Sequence, residues 1–119
     1  MKYMLMIYGN EELWSSFPQE DFEQVVVETN ALQAELKASG EFVSAYGLGD
    51  QVLAKQVTLV DGAPVVTDGP YLEAKESLVG FWILDVADEA RIVEIASRIV
   101  KYAGKVELRQ VADGPPEVD

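Results

Sequence analysis

The sequence predicts an α+β domain of the ferredoxin-like, split βαβ kind, with a β-hairpin inserted between its two halves. Three observations carry that prediction. β-rich runs and helix-period runs follow one another as strand, helix, strand, hairpin, strand, helix, strand. Two right-handed βαβ crossovers in one sheet give the split arrangement, with the strands before each helix at the centre. The length, 119 residues, suits one domain that buries roughly two-thirds of the surface its unfolded chain exposes.

Residues 2–8 are aromatic and aliphatic, end at Gly9-Asn10 and are too few for an ordinary helix, so they read as a strand. Ser16-Phe17-Pro18-Gln19 has the form of a capping box with Pro18 in the first turn, which predicts a helix start. The apolar positions Phe22, Val25, Val26, Thr29, Leu32 and Leu36 follow at helical spacing, and Ser39-Gly40 closes the run. Residues 42–46 form the next strand. Residues 56–60 and 63–67 flank Asp61-Gly62, a strong hairpin signal, and Pro64 belongs at an edge or strand start because it cannot donate to a ladder. Residues 80–86 make another strand, and Asp88 caps a helix with Ile92, Ile95, Ala96 and Ile99 on one face. Residues 105–111 alternate as a last strand, and the domain is expected to span 1–111, with 112–119 a flexible tail.

Both helices of such a fold pack on one side of the sheet, so the other side of a monomer should be polar. The central strands do not alternate that way. Tyr3, Leu5 and Ile7 point opposite to Met4, Met6 and Tyr8, and Phe81 and Ile83 point opposite to Trp82 and Leu84. An uncovered apolar sheet face exceeds what soluble monomers usually expose. The inserted hairpin is one candidate cover; a second copy packed sheet to sheet, enclosing a cleft, is the preferred one.

Composition excludes several classes. A net charge of −12, from 21 acidic and 9 basic residues, repels phosphate backbones and anionic lipid, so neither nucleic acid nor membrane is an expected partner. No apolar run approaches the ~20 residues of a membrane span, and the N-terminus lacks the pattern of a secretory signal, so the cytoplasm is the expected compartment. The chain has no cysteine and no histidine, which removes thiolate chemistry and the ordinary general base. No phosphate loop, Glu-x-x-His pattern or Ca²⁺ loop is present; no cofactor and no metal site is expected.

Val66-Thr67-Asp68-Gly69-Pro70-Tyr71, followed by Glu73-Ala74-Lys75-Glu76 and Gly80-Phe81-Trp82, resembles the hallmark of the YCII-related, DGPF-domain proteins. Met1-Lys2-Tyr3-Met4-Leu5, Phe42-Val43-Ser44 and Gly47-Leu48 match as well, so the resemblance runs over most of residues 1–111. It implies a dimeric α/β barrel built from ferredoxin-like units. It implies little about activity: members are mostly uncharacterised, some are neighbours of extracytoplasmic sigma factors, and a related branch performs dehydrochlorination with a His/Asp pair. This chain departs from the pattern with Tyr71 in place of Phe and with Ala45-Tyr46-Gly47-Leu48 where Gly-Glu-Gly-Leu is usual. Lacking histidine, it cannot inherit the His/Asp chemistry.

The candidate catalytic residues are Asp68 and Tyr71. The plainer reading of Asp68-Gly69-Pro70-Tyr71 is a turn in which Asp accepts backbone N–H bonds and Pro fixes the bend. The functional reading puts Asp68 and Tyr71 at the mouth of the intersheet cleft, where burial turns an Asp into a working base. Candidate ligand-binding residues are Tyr46, Lys75 and Arg109. Lys75 beside Glu76 also reads as a solvated pair, Tyr46 as a core or interface aromatic, and Arg109 as either a carboxylate clamp or a salt-bridge partner. The functional expectation is a homodimer that binds or modestly transforms a small organic molecule in the intersheet cleft. Its alternative is a non-catalytic accessory protein associated with transcription regulation.

Overall fold

A computed structural model describes residues 1–9, 15–68 and 77–112. Its elements are β1 (Lys2–Gly9), α1 (Gln19–Ser39), β2 (Phe42–Gly47), β3 (Lys55–Val60), β4 (Ala63–Asp68), β5 (Ser77–Asp85), α2 (Glu89–Ile99) and β6 (Lys105–Gln110). The main sheet runs β2-β5-β1-β6, every neighbouring pair antiparallel, and β3 pairs with β4 apart from it. The strands that precede the helices, β1 and β5, are central, as the element order predicts. The tail beyond residue 112, and positions 69–76 with the Gly-Pro-Tyr part of the turn, lie outside the described residues.

The second helix forms as its sequence dictates. Asp88 Oδ1 accepts the Arg91 N–H at 2.9 Å, satisfying one of the free donors of the first turn. Ile92, Ile95, Ala96 and Ile99, spaced by three, one and three, are all buried. The first helix starts differently from the capping-box expectation. Pro18, at φ −59° and ψ 152°, stays outside the helix, and its carbonyl accepts from the Asp21 and Phe22 N–H groups. Ser16 therefore precedes the cap position, and the acidic Glu20 and Asp21 compensate the exposed N–H groups electrostatically. At the other end Gly40, at φ 81°, closes the helix. Its N–H bonds Lys37 O and the Glu41 N–H bonds Leu36 O, a Schellman pair that needs a left-handed residue.

Leu32 and Leu36 of α1 are buried, but Phe22 and Val26, predicted for the same core face, are exposed. Length explains the difference. The 21 residues of α1 extend about 31 Å at ~1.5 Å each. The six residues of β2 or β6 cover only about 20 Å. The first turns of α1 run past the short edge strands, and Phe22 and Val25 border an unfilled cavity with Ile7, Trp82 and Ile99 instead of closing on them.

The core lies between the helices and one face of the sheet: Tyr3 and Leu5 of β1, Trp82 and Leu84 of β5, Leu32 and Leu36 of α1, and the isoleucines of α2, with Val106 and Leu108 of β6 packed against them. Leu5, Leu36, Leu84, Ile92 and Ile95 are fully buried, each worth about 1.5–3 kcal/mol of transfer free energy. Gly80 sits in β5 two residues before Trp82, on this same face, where the neighbouring strand comes too close for a side chain. A Cβ there would stand 2.8 Å from the Tyr46 carbonyl oxygen of β2. Gly80→Ala must push β2 away from β5 and is expected to cost about 1–3 kcal/mol, read as a lower urea midpoint at unchanged m-value. A midpoint equal to that of the parent chain would refute the close approach.

An ion pair ties the helix layer together. Arg91 of α2 donates from Nε to Glu41 Oε2 at 2.9 Å and from Nη2 to Glu41 Oε1 at 2.8 Å, and from Nη1 to Glu94 Oε1 at 3.0 Å. Ser39 Oγ donates to Glu41 at 2.7 Å. The Arg91 fork, helped by Ser39, holds the Glu41 carboxyl down at about 2 despite partial burial. Arg98 and Glu35 form a second bidentate pair, 3.0 and 3.2 Å, between α2 and α1.

Candidate functional site

The face of the sheet turned away from the helices follows from the register. In an antiparallel pair, residues directly opposite share a face. Arg109, Met4, Ile83 and Ser44 form one cross-strand row from β6 to β2, and Glu107, Met6, Phe81 and Tyr46 form the next. The middle of each row is apolar and the ends are polar. Met6 is buried although it takes no part in the core between sheet and helices. The helices supply no cover for Met4, Phe81 and Ile83. Thus the two-sided apolar character read from β1 and β5 is a real property of the sheet.

The polar side chains stand at the edges. On β6, Lys105, Glu107 and Arg109 alternate with Val106 and Leu108, so packing of the latter two on the helices sends the three charged side chains to the open face. Lys105 Nζ lies 4.6 Å from the centre of the Tyr8 ring, and the Tyr8 hydroxyl donates to Glu107 Oε2 at 3.4 Å. Arg109 has no carboxylate partner among the described residues. On β2, the Tyr46 ring stands 5.6 Å from the Phe81 ring, with much of its surface exposed. Three strand spacings, about 14 Å, separate the β2 and β6 edges, so one chain does not bring Tyr46 and Arg109 together.

Asp68 is the last residue of β4, exposed, and paired with Lys55 across the hairpin. It is not among the residues lining the cleft near Lys37 or the two smaller cavities beside α1 and α2. The burial that the functional reading of Asp68 requires is therefore not supplied by this chain's described residues. Tyr71 and Lys75 fall outside the described residues.

A cleft of about 570 Å³ opens at the β2 end of the sheet, lined on the helix side by Gln33, Lys37, Phe42, Ala45, Gly80 and Trp82. Sequence reasoning missed it, because no local pattern marks Lys37. Gly80 lies on the floor of the cleft, where β2 approaches β5 too closely for a side chain. The Lys37 ammonium stands 5.1 Å over the Phe42 ring. The strongly shifted carboxyl, Glu41, belongs to the tie between helices and is structural.

No described helix is long and apolar enough to cross a membrane. The chain matches the YCII-related domain family over residues 1–114. It is similar to an uncharacterized protein of Rhizobium meliloti (strain 1021), 28% identical over 115 residues, which cover 94% of this chain and 93% of that one.

Proposed function

The chain belongs to the YCII-related family, and from that premise we propose that two copies pack sheet to sheet and hold a small organic acid between them. The single observation that carries this reading is the pair of cross-strand rows: Met4, Met6, Phe81 and Ile83 give an apolar floor, bordered by Arg109 and Lys105 on one edge and Tyr46 on the other. An apolar pocket with a few convergent polar groups is the usual form of a small-molecule site. The sheet order, with β1 and β5 central, supports the ferredoxin-like reading, and a second copy covers the apolar face that the helices leave open. Arg109, unengaged by any described carboxylate, offers the planar fork that matches a ligand carboxylate. In the same assembly Asp68 and Tyr46, both exposed in one chain, gain the burial that a ligand-binding or proton-transferring role demands.

A thermal-shift series with benzoate and short aliphatic carboxylates, each paired with its amide, tests the reading. A bound acid at about 100 times its Kd adds roughly 2.7 kcal/mol, a shift of several degrees. Arg109→Gln is expected to abolish the response without moving the melting point of the unliganded protein. Equal stabilisation by the amides, or a response that survives Arg109→Gln, would contradict it.

A further inference from the structure

The inserted hairpin is well formed yet uncovered. Asp61 and Gly62, at φ 51° and 81°, are both in the left-handed region, the requirement of a type I′ turn that matches strand twist. Every residue of β3 and β4 is nevertheless exposed, and neither strand is hydrogen-bonded to the main sheet. This settles one sequence alternative: the hairpin does not cover the open face of its own chain. A two-stranded hairpin standing in water is marginally stable at best.

Its two faces differ. The register pairs Val57 with Val66 and Leu59 with Pro64, so these four share one face, with the Lys55–Asp68 ion pair at its base. The other face carries Gln56 opposite Thr67 and Thr58 opposite Val65, with Val60 and Ala63 beside the turn. On the first face Val57, Leu59 and Val66 expose 64, 73 and 63% of their surface. An amphipathic arm of this kind has an apolar side built to lie on something.

We infer that the arm packs the Val57–Leu59–Pro64–Val66 face on the second copy of this chain; the inference rests on the sheet-to-sheet dimer proposed above. Two observations name the second copy as the occupant. The first is position. The arm leaves the sheet at the end of β2, where the Leu48 N–H still bonds Val79 O of β5, beside the Tyr46–Phe81 pair that borders the open face. An arm rooted at the rim of a face that packs on a partner reaches that partner. The second is area. Four strands ~4.8 Å apart and six residues long span roughly 400 Å² of flat surface, short of the about 800 Å² per partner of a stable interface even allowing for corrugation. The apolar face of the arm is roughly 200 Å², and a two-fold axis counts it twice on each copy, once as the arm it extends and once as the surface the partner's arm covers, which brings each partner to about 800 Å².

The test pairs two substitutions that add the same charge to the same strand and remove a β-branched residue from opposite faces: Val57→Glu and Thr58→Glu. Sedimentation equilibrium of each is compared with the parent chain. Val57→Glu is expected to raise the dimer Kd by about tenfold or more, and Thr58→Glu to leave it within about twofold. Equal effects from the two, or none from either, would overturn the arm contact while leaving the dimer standing. A parent chain of monomeric mass would remove the dimer itself, which is a separate failure. Should Val57→Glu not fold, Leu59→Cys and Thr58→Cys decide, since the chain has no other cysteine. Maleimide labelling of Leu59→Cys is expected to be the slower of the two in the dimer and to catch up on dilution. Equal rates at high concentration would overturn the inference.

Discussion

Replacing Arg91 by methionine is expected to lower stability by about 2–3 kcal/mol at neutral pH, because it strands the half-buried Glu41 carboxylate with Ser39 as its remaining side-chain donor. The same change is expected to alter the acid response. In the parent chain the Arg91 fork holds Glu41 at about 2, below the ordinary 4.5. A carboxyl depressed in the folded state contributes stability that is complete above its unfolded value and is lost as pH falls from about 4.5 towards 2. The full difference is worth at most about 3–4 kcal/mol, and solvent reaching the pair reduces this to about 1–2. Glu35, held below its usual value by the Arg98 hydrogen bonds, adds in the same direction. Urea unfolding of both proteins at pH 7 and pH 3 checks this. The gap between them should narrow at pH 3; a gap equal at both pH values would refute the role of the pair.

Phe81→Glu is expected to have the larger effect on assembly. Phe81 lies in the second cross-strand row, between Met6 and Tyr46. In a lone chain it is only half-buried, so a glutamate there can reach water, and the loss is chiefly the contact with the Tyr46 ring. Between two sheets the same carboxylate is desolvated without a partner, at several kcal/mol, and two-fold symmetry imposes the cost twice. The dimer should therefore dissociate at concentrations where the parent chain is fully associated, while far-UV circular dichroism and cooperative unfolding persist. A Phe81→Glu protein that stays dimeric would place the interface elsewhere.

Much of this was legible in the sequence because local signals agreed with tertiary demands. Asp88, Gly40 and Asp61-Gly62 each fix a chain geometry through one residue type, and each acts as read. The alternation of β6 and its absence in β1 and β5 foretold which sheet face meets the helices and that the other is apolar too. The failures came where geometry between elements decides. Ser16 has the right chemistry for a cap, but Pro18 held extended sets the helix start two residues later. Phe22 and Val26 have the right spacing for a core face but stay exposed, and Phe22 borders a cavity that the side chains of the sheet and α2 leave unfilled. The cleft beside Lys37 depends on how near β2 approaches Gly80, a distance no periodicity encodes. For the site, the alternation of β6 is enough to put Arg109 on the open face once Val106 and Leu108 pack on the helices. The two-residue Asp61-Gly62 turn already implies the register that sets Lys55 opposite Asp68, but nothing local says that the arm carrying them stands exposed and apart from the main sheet.

The most direct measurement of the central claim is the mass of the parent chain in solution by light scattering at low micromolar concentration, with Phe81→Glu run beside it. The proposed packing of the open apolar face on a second copy predicts twice the 13.1 kDa of one chain for the parent and a single-chain mass for the variant. A parent protein that scatters as 13.1 kDa would contradict the account.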